Sequence, residues 1–277
     1  QDMSLTYGEL DDKVRRLAGG LRTLGVGRGH VVASDLPNTA ENLFLQLALS
    51  HLGASFATAK DAKSLKEKVE GKVVCAVASD GHSWFADTAQ LPESVKTRVV
   101  LDTAHGFDKS GHLAFSDLLQ SPVDSEPAAA TPEDLFASYN GAAMTQKQAV
   151  SLGQNAASVL KSTAEDRSCV SITLCHSFGF GSGVGSAFMS GGAVVLPAAG
   201  GIRGCGDPKQ RAAVTAEVLA TTGCSLLFAD APILKQLQGM ELIGGGSKLR
   251  TGVVKVGSGT DIFDDGSGMR YAGAALL

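Results

Sequence analysis

Apolar residues open the chain at Leu10, Val14, Leu17, Leu21 and Leu24, spacings of four, three, four and three that lay one stripe along a helix. Ahead of the stripe stands Thr6-Tyr7-Gly8-Glu9, a capping box in which hydroxyl and carboxylate each satisfy a backbone N–H of the first turn. Gly25 stops the helix. After the turn Gly25-Val26-Gly27-Arg28-Gly29 the pattern predicts a strand at His30–Ser34 and a second helix from about Glu41 to Leu52, closed by Gly53. A charged helix around Ala62–Glu70, a strand at Lys72–Ala78, a helix near Trp84 and a strand at Arg98–Leu101 continue the alternation. Strands of nearly continuous apolar content separated by helices point to a parallel sheet covered on both faces.

From Gln120 onward the composition changes to Ser, Pro, Ala and acidic residues, which reads as an exposed linker. The expected organisation is therefore a first α/β subdomain over 1–119, a Pro/Ala-rich linker over 120–134 and a second α/β subdomain over 135–277. In the second part the pattern predicts strands at Leu135–Tyr139, Cys169–Leu174, Ala193–Pro197, Ser225–Ala229 and Thr251–Val256. Between them it predicts helices at Gln146–Leu160, after a Gly-rich turn, at Pro208–Thr221 and near Ile233. The fold class is α/β, with two mixed or parallel sheets covered by helices.

With 44% hydrophobic residues over 277 positions the chain has ample material for a large core. Charges of both signs are mixed along its length to a net of -4, so no face is laid out to track phosphates, and nucleic acid is not an expected partner. No apolar run approaches the roughly 20 residues that cross a bilayer. The five cysteines form no C-x-x-C pair and sit mostly in apolar segments, as reduced, buried thiols do in a reducing compartment. With six scattered histidines they offer no zinc-ligand spacing, and neither metal nor cofactor is expected. The first residue is Gln1 rather than Met, which fits an upstream segment that is cleaved, as an organellar presequence is, or one left out of the sequence.

Candidate chemistry is sparse. Gly179-Phe180-Gly181-Ser182-Gly183-Val184-Gly185 has the look of a phosphate cradle, yet no register gives G-x-G-x-x-G, and the glycines read as close helix packing or a tight turn. Neither a Walker loop nor a nucleophile elbow is present. His176 follows a predicted strand, where α/β sheets present functional groups to a crevice, but the plainer reading is a histidine packed at the mouth of the sheet with an ordinary hydrogen bond. Lys147, opening a helix, is placed to meet a phosphate at the helix start or to lie solvated.

Taken together, these segments resemble the large domain of the acyl-CoA synthetases and other AMP-forming ligases, from about Leu5 to about Gly259. The likeness is carried by Leu5-Thr6-Tyr7-Gly8-Glu9-Leu10, by Leu21 to Gly29 and by Leu36-Pro37-Asn38. The family's signature is a Ser/Thr/Gly loop ending in Pro-Lys-Gly that wraps the ATP phosphates. By this resemblance its counterpart is Asn140-Gly141-Ala142-Ala143-Met144-Thr145-Gln146-Lys147-Gln148, where Gly141 and Lys147 survive but two threonines become Ala142 and Ala143 and a glycine becomes Met144. Asn155 fits as well, while the family's histidine two residues earlier falls on Gly153. Removal of even one preorganised donor to a developing charge costs about 3 kcal/mol. The resemblance also implies an acyl pocket at His176-Ser177-Phe178-Gly179 and an adenine-flanking segment at Gly257 and Ser258, with Lys255 and Val256 intruding where small residues are expected. Tyr271-Ala272-Gly273-Ala274-Ala275 stands where the family carries a magnesium-binding glutamate, and the small C-terminal domain with its catalytic lysine has no counterpart.

The expectation is thus a degenerate, truncated ligase relative without catalytic residues, whose partners are other protein subunits of a larger assembly. A mitochondrial respiratory or ribosomal complex is the expected host. An acyl- or nucleotide-binding module, or a ligase completed by another chain, remain as alternatives.

Overall fold

The computed structural model describes residues 3–59, 61–69, 71–79, 91–101, 111–197, 207–240, 248–264 and 268–273. It is an α/β protein whose chain divides into two compact units, Gln1–Leu36 with Ala40–Gln146 and Pro37–Thr39 with Lys147–Leu277. Each contains one mixed sheet.

In the first unit the capping box forms as expected: the Glu9 N–H donates to the Thr6 hydroxyl and the Thr6 N–H to the Glu9 carboxylate, opening helix α1, Tyr7–Thr23. Its apolar stripe buries Val14, Leu17 and Leu21. Strand β1, His30–Ser34, is followed by α2, Ala40–His51, by β2, Ser55–Thr58, and by the charged α3, Ala62–Lys68. Then come β3, Lys72–Ser79, β4, Thr97–Leu101, the short β5, Leu113–Ala114, with α4, Phe115–Leu118, and the pair β6, Leu135–Tyr139, and β7, Ala142–Thr145. The sheet order is β5-β4-β3-β1-β2-β6-β7, parallel throughout except for the antiparallel β6–β7 pair. Val31, Ala33, Ala57 and Ala76 pack with Ala62 and Leu65 of α3 in one core cluster. The helix expected near Trp84 lies outside the described residues.

Residues 120–134 fall within the first unit, and their polar groups explain how a Ser/Pro/Ala stretch is held. Asp124 is buried; its carboxylate accepts from Arg22 Nη2 at 2.7 Å and Nε at 3.1 Å, and its carbonyl accepts from Arg15 Nη1 at 2.8 Å. Burial by itself would raise the Asp124 carboxyl, but the Arg22 hydrogen bonds and charge hold it below the usual carboxylate range. Gly19 and Gly20, costly inside a helix, are where the returning backbone lies closest: a Cβ on Gly20 would come within 2.8 Å of the Ser121 hydroxyl, and one on Gly19 would strike the Pro122 carbonyl.

The second unit begins with α5, Gln146–Leu160, of which it holds all but the first residue, followed by β8, Arg167–Ser171, and a π-helical segment, Phe178–Val184. That segment runs into α6, Gly185–Ser190, and β9, Ala193–Val195. Next are α7, Pro208–Thr222, β10, Leu226–Asp230, α8, Ala231–Gly239, and the strands β11, Thr251–Val256, β12, Gly259–Asp264, and β13, Gly268–Gly273. The sheet order is β13-β12-β11-β10-β8-β9, with β9, β8, β10 and β11 parallel and the last two strands added as antiparallel hairpins.

Strand β8 stops at Ser171 although the apolar run continues to Leu174. Asn38 explains the difference: its amide nitrogen donates to the Ile172 carbonyl at 2.6 Å and its oxygen accepts from the Leu174 N–H at 2.8 Å. A single side chain thus takes backbone groups that a neighbouring strand would have used.

Candidate functional site

The stretch expected as the degenerate counterpart of the nucleotide loop is a β-hairpin. Tyr139 pairs with Ala142, Ser138 with Ala143 and Ala137 with Met144, so only Asn140 and Gly141 lie in the turn. Both have positive φ, 52° and 91°, the sign that a two-residue type I′ connection requires, and Asn-Gly is the dipeptide that favours it. Extended backbone sends successive N–H groups to opposite sides of the strand, alternately into the β6 ladder and away from it. The amides of 142–144 therefore cannot converge on one phosphate as those of a compact loop do. Ala142 and Ala143 are exposed methyl groups without a hydroxyl, and Met144 is buried beneath the sheet. Lys147 is exposed in the first turn of α5.

In the second unit Gly153, where the resemblance placed the family's histidine, has no room for any side chain: a Cβ there would lie 2.8 Å from the Gly185 carbonyl carbon and 2.9 Å from its Cα. The glycines of the 179–185 stretch serve the same packing. A Cβ on Gly181 would meet the Leu152 side chain at 2.8 Å, and one on Gly179 would collide with the Thr173 carbonyl. This is the close-packing role that the sequence allowed for them.

His176 sits beyond the carboxyl end of β8. Its Nδ1 accepts from the Phe178 N–H at 3.0 Å, so a neutral ring carries its proton on Nε2. Burial first, and the nearby Lys255 charge second, push the imidazole below its usual value, which keeps it neutral at pH 7. Phe178 is fully buried and packs on Phe228 of β10, ring centroids 5.9 Å apart and tilted by 57°. Gly257 and Ser258 form the exposed two-residue turn between β11 and β12, with Val256 opposite Gly259. Lys255 Nζ donates to the Gly257 carbonyl at 2.8 Å. Chemically, these positions supply one neutral imidazole and one lysine already engaged with backbone. Of the Tyr271 stretch, Ala274 and Ala275 lie outside the described residues.

The sequence reading missed a buried polar network at the carboxyl ends of β8 and β10. Arg211 of α7 pairs with Asp230 at 2.9 Å, and its Nη2 donates to the Ser171 carbonyl at 2.6 Å; the Thr215 and Ser171 hydroxyls lie 2.6 Å apart. Asp230 also caps α8 by accepting from the Ile233 N–H. The signal was present, because Arg211, Thr215 and Leu219 recur at i, i+4 and i+8 and so share the buried face of α7. At the opposite strand ends Asp166 receives Arg250 through two guanidinium nitrogens, at 3.0 and 2.7 Å, and the Ser225 hydroxyl at 2.6 Å. Among the described residues, no three His, Cys, Asp or Glu side chains are grouped to hold a metal ion.

Two mixed sheets in this order define an acyl-CoA-ligase large-domain fold. The fatty acyl CoA synthetase of Mycobacterium tuberculosis superposes with a TM-score of 0.72 at 17% identity, over 93% of this chain and 50% of that one. A benzoate CoA ligase of Burkholderia xenovorans does so with 0.69 at 16% identity, over 93% and 58%. Residues 1–137 match the family profile described as AMP-binding enzyme. The oxalate–CoA ligase of Arabidopsis thaliana is 30% identical over 215 residues, 71% of this chain and 41% of that ligase's length. The chain therefore carries the AMP-binding domain of the CoA-ligase family over residues 1–137, while it spans well under half the length of that relative.

Proposed function

We propose that this chain is a non-catalytic member of the family, kept as an accessory subunit of a larger protein assembly. The observation that supports this is the hairpin at Asn140–Thr145, whose amides diverge where an ATP-binding loop must bring donors together. Adenylation depends on holding the triphosphate for attack at its α-phosphorus. A site with alanines at 142 and 143 and without convergent amides forgoes about 3 kcal/mol for each preorganised donor lost. ATP–pyrophosphate exchange with a panel of carboxylic acids tests this directly: no exchange is expected, and measurable exchange refutes the reading. Calorimetry is expected to show no ATP binding at micromolar concentrations, whereas micromolar binding of an acyl-CoA would favour the acyl-binding alternative. The accessory role predicts that the native protein migrates with other chains, and a lone species of this chain's own mass would count against it. The host is proposed to be mitochondrial, where cell fractionation decides.

A further inference from the structure

Asparagine stands at four positions, 38, 42, 140 and 155, and only at 140 does a glycine follow. Asn140 and Gly141 form the exposed tip of the β6–β7 hairpin. Pairing of Tyr139 with Ala142 leaves the Gly141 N–H outside the ladder, and it donates to no backbone acceptor among the described residues. Glycine also brings no Cβ to hinder ring closure at its nitrogen. We propose that Asn140 is a site of spontaneous deamidation, at which the Gly141 amide nitrogen converts the side-chain amide to a carboxylate without an enzyme.

The other three asparagines are held differently. Asn38 is tied at both ends of its amide, donating to the Ile172 carbonyl and accepting from the Leu174 N–H. Asn42 is buried in α2, where its Nδ2 donates to the Leu36 carbonyl and its Oδ1 accepts from Gln46. Asn155 is exposed but lies inside α5, where the next N–H is committed to the helix ladder. The hairpin tip is under no such restraint. Strand β7 is the outer strand of its sheet, held by β6 alone, so the tip opens for the attack at the cost of few hydrogen bonds.

In the first step the Gly141 nitrogen gives its proton to solvent base and attacks Asn140 Cγ. The Cγ–Nδ2 bond breaks, and ammonia leaves with a proton from water. The succinimide ring so formed takes up one water at either carbonyl. Breaking the bond from nitrogen to Cγ gives aspartate; breaking the bond from nitrogen to the main-chain carbonyl carbon gives isoaspartate. One water is consumed and one ammonia released, with no oxidant or reductant. In the isoaspartyl product the main chain runs through the side-chain methylene and is one carbon longer at the turn. Because turn type and loop length fix a hairpin's register, this product loosens β7 from β6.

The test keeps the full folded chain for weeks in neutral and in mildly alkaline buffer and maps it by fragmentation mass spectrometry that separates aspartate from isoaspartate. The expected map shows a hydroxyl in place of the amide nitrogen at Asn140 before any of the other three asparagines, with both products present. Conversion should be faster in the alkaline sample, because the attacking nitrogen must lose its proton. Amide hydrogen exchange over residues 142–145 should quicken in the isoaspartyl fraction, and unchanged exchange would refute the loosening of β7. A parallel sample unfolded in urea reads the same chemistry without the turn. Conversion in urea beside an intact Asn140 in the folded chain would overturn the proposal, since the turn would then shield the site. So would conversion at Asn155 first, no conversion in either state, or aspartate alone, the mark of direct hydrolysis.

Discussion

Replacing Gly153 with alanine tests whether the second unit is held by the backbone contact between α5 and the start of α6. The new Cβ would stand 2.8 Å from the Gly185 carbonyl carbon, and carbon atoms pack best near about 3.5 Å, so the two segments must part by roughly 0.7 Å. Overpacking on this scale costs about 1–3 kcal/mol. Against it, alanine in mid-helix recovers about 0.5–1 kcal/mol relative to glycine. The expected net is a loss of about 1 kcal/mol. Gly8→Ala is the control, because a Cβ there meets only the Thr6 hydroxyl oxygen at 4.0 Å and the propensity gain acts alone. Calorimetric melting separates the two: Gly153→Ala should lower the Tm by about 2–4 °C per kcal/mol, and Gly8→Ala should raise it slightly. Gly185→Ala shares the collision, its Cβ lying 2.9 Å from the Gly153 Cα, so the double variant should cost less than the two single costs added. If Gly153→Ala raised the Tm as Gly8→Ala does, the close approach would be refuted.

Three further outcomes follow from the ion pairs and the hairpin. Burial opposes ionisation of Asp166, yet Arg250, Ser225 and the Thr163 N–H lower its carboxyl from 3.8 to about 2. At about 1.4 kcal/mol per unit, discounted because Arg250 is 39% exposed, this contributes about 1–2 kcal/mol. Because the folded value is the lower one, that stability is present above pH 4 and lost as pH falls toward 2; in Asp166→Asn, acid titration of stability should flatten across this window. Asp230→Asn keeps the helix cap but leaves Arg211 without its buried counter-charge, a loss of about 3–5 kcal/mol by urea unfolding, much of it recovered when Arg211→Met is added. Gly141→Val puts a β-branched residue at a φ of 91° and should cost about 1–2 kcal/mol in thermal unfolding, while a neutral result would argue against the tight turn.

Much of the fold was legible along the chain. The α1 stripe, its capping box and strands β1, β6 and β11 fall where periodicity and end signals put them, because these depend on residues within a turn or two of one another. The Asn140-Gly141 turn carried a hairpin signal too, but alignment with the phosphate-binding loop drew attention to lost side chains rather than to the backbone conformation those two residues favour. Ala142–Thr145 is short and only partly apolar, so its strand character came from pairing with β6 rather than from its own pattern.

Local sequence by itself determined the alternation of elements and the helix ends. Tertiary structure decided where β8 ends, through Asn38 more than a hundred residues away, and why Gly153 carries no side chain, through Gly185. It also decided that Phe178 is core. The physical reason is that caps and stripes are satisfied within one element, whereas close backbone approach and buried polar partners depend on which distant segments the sheet brings side by side.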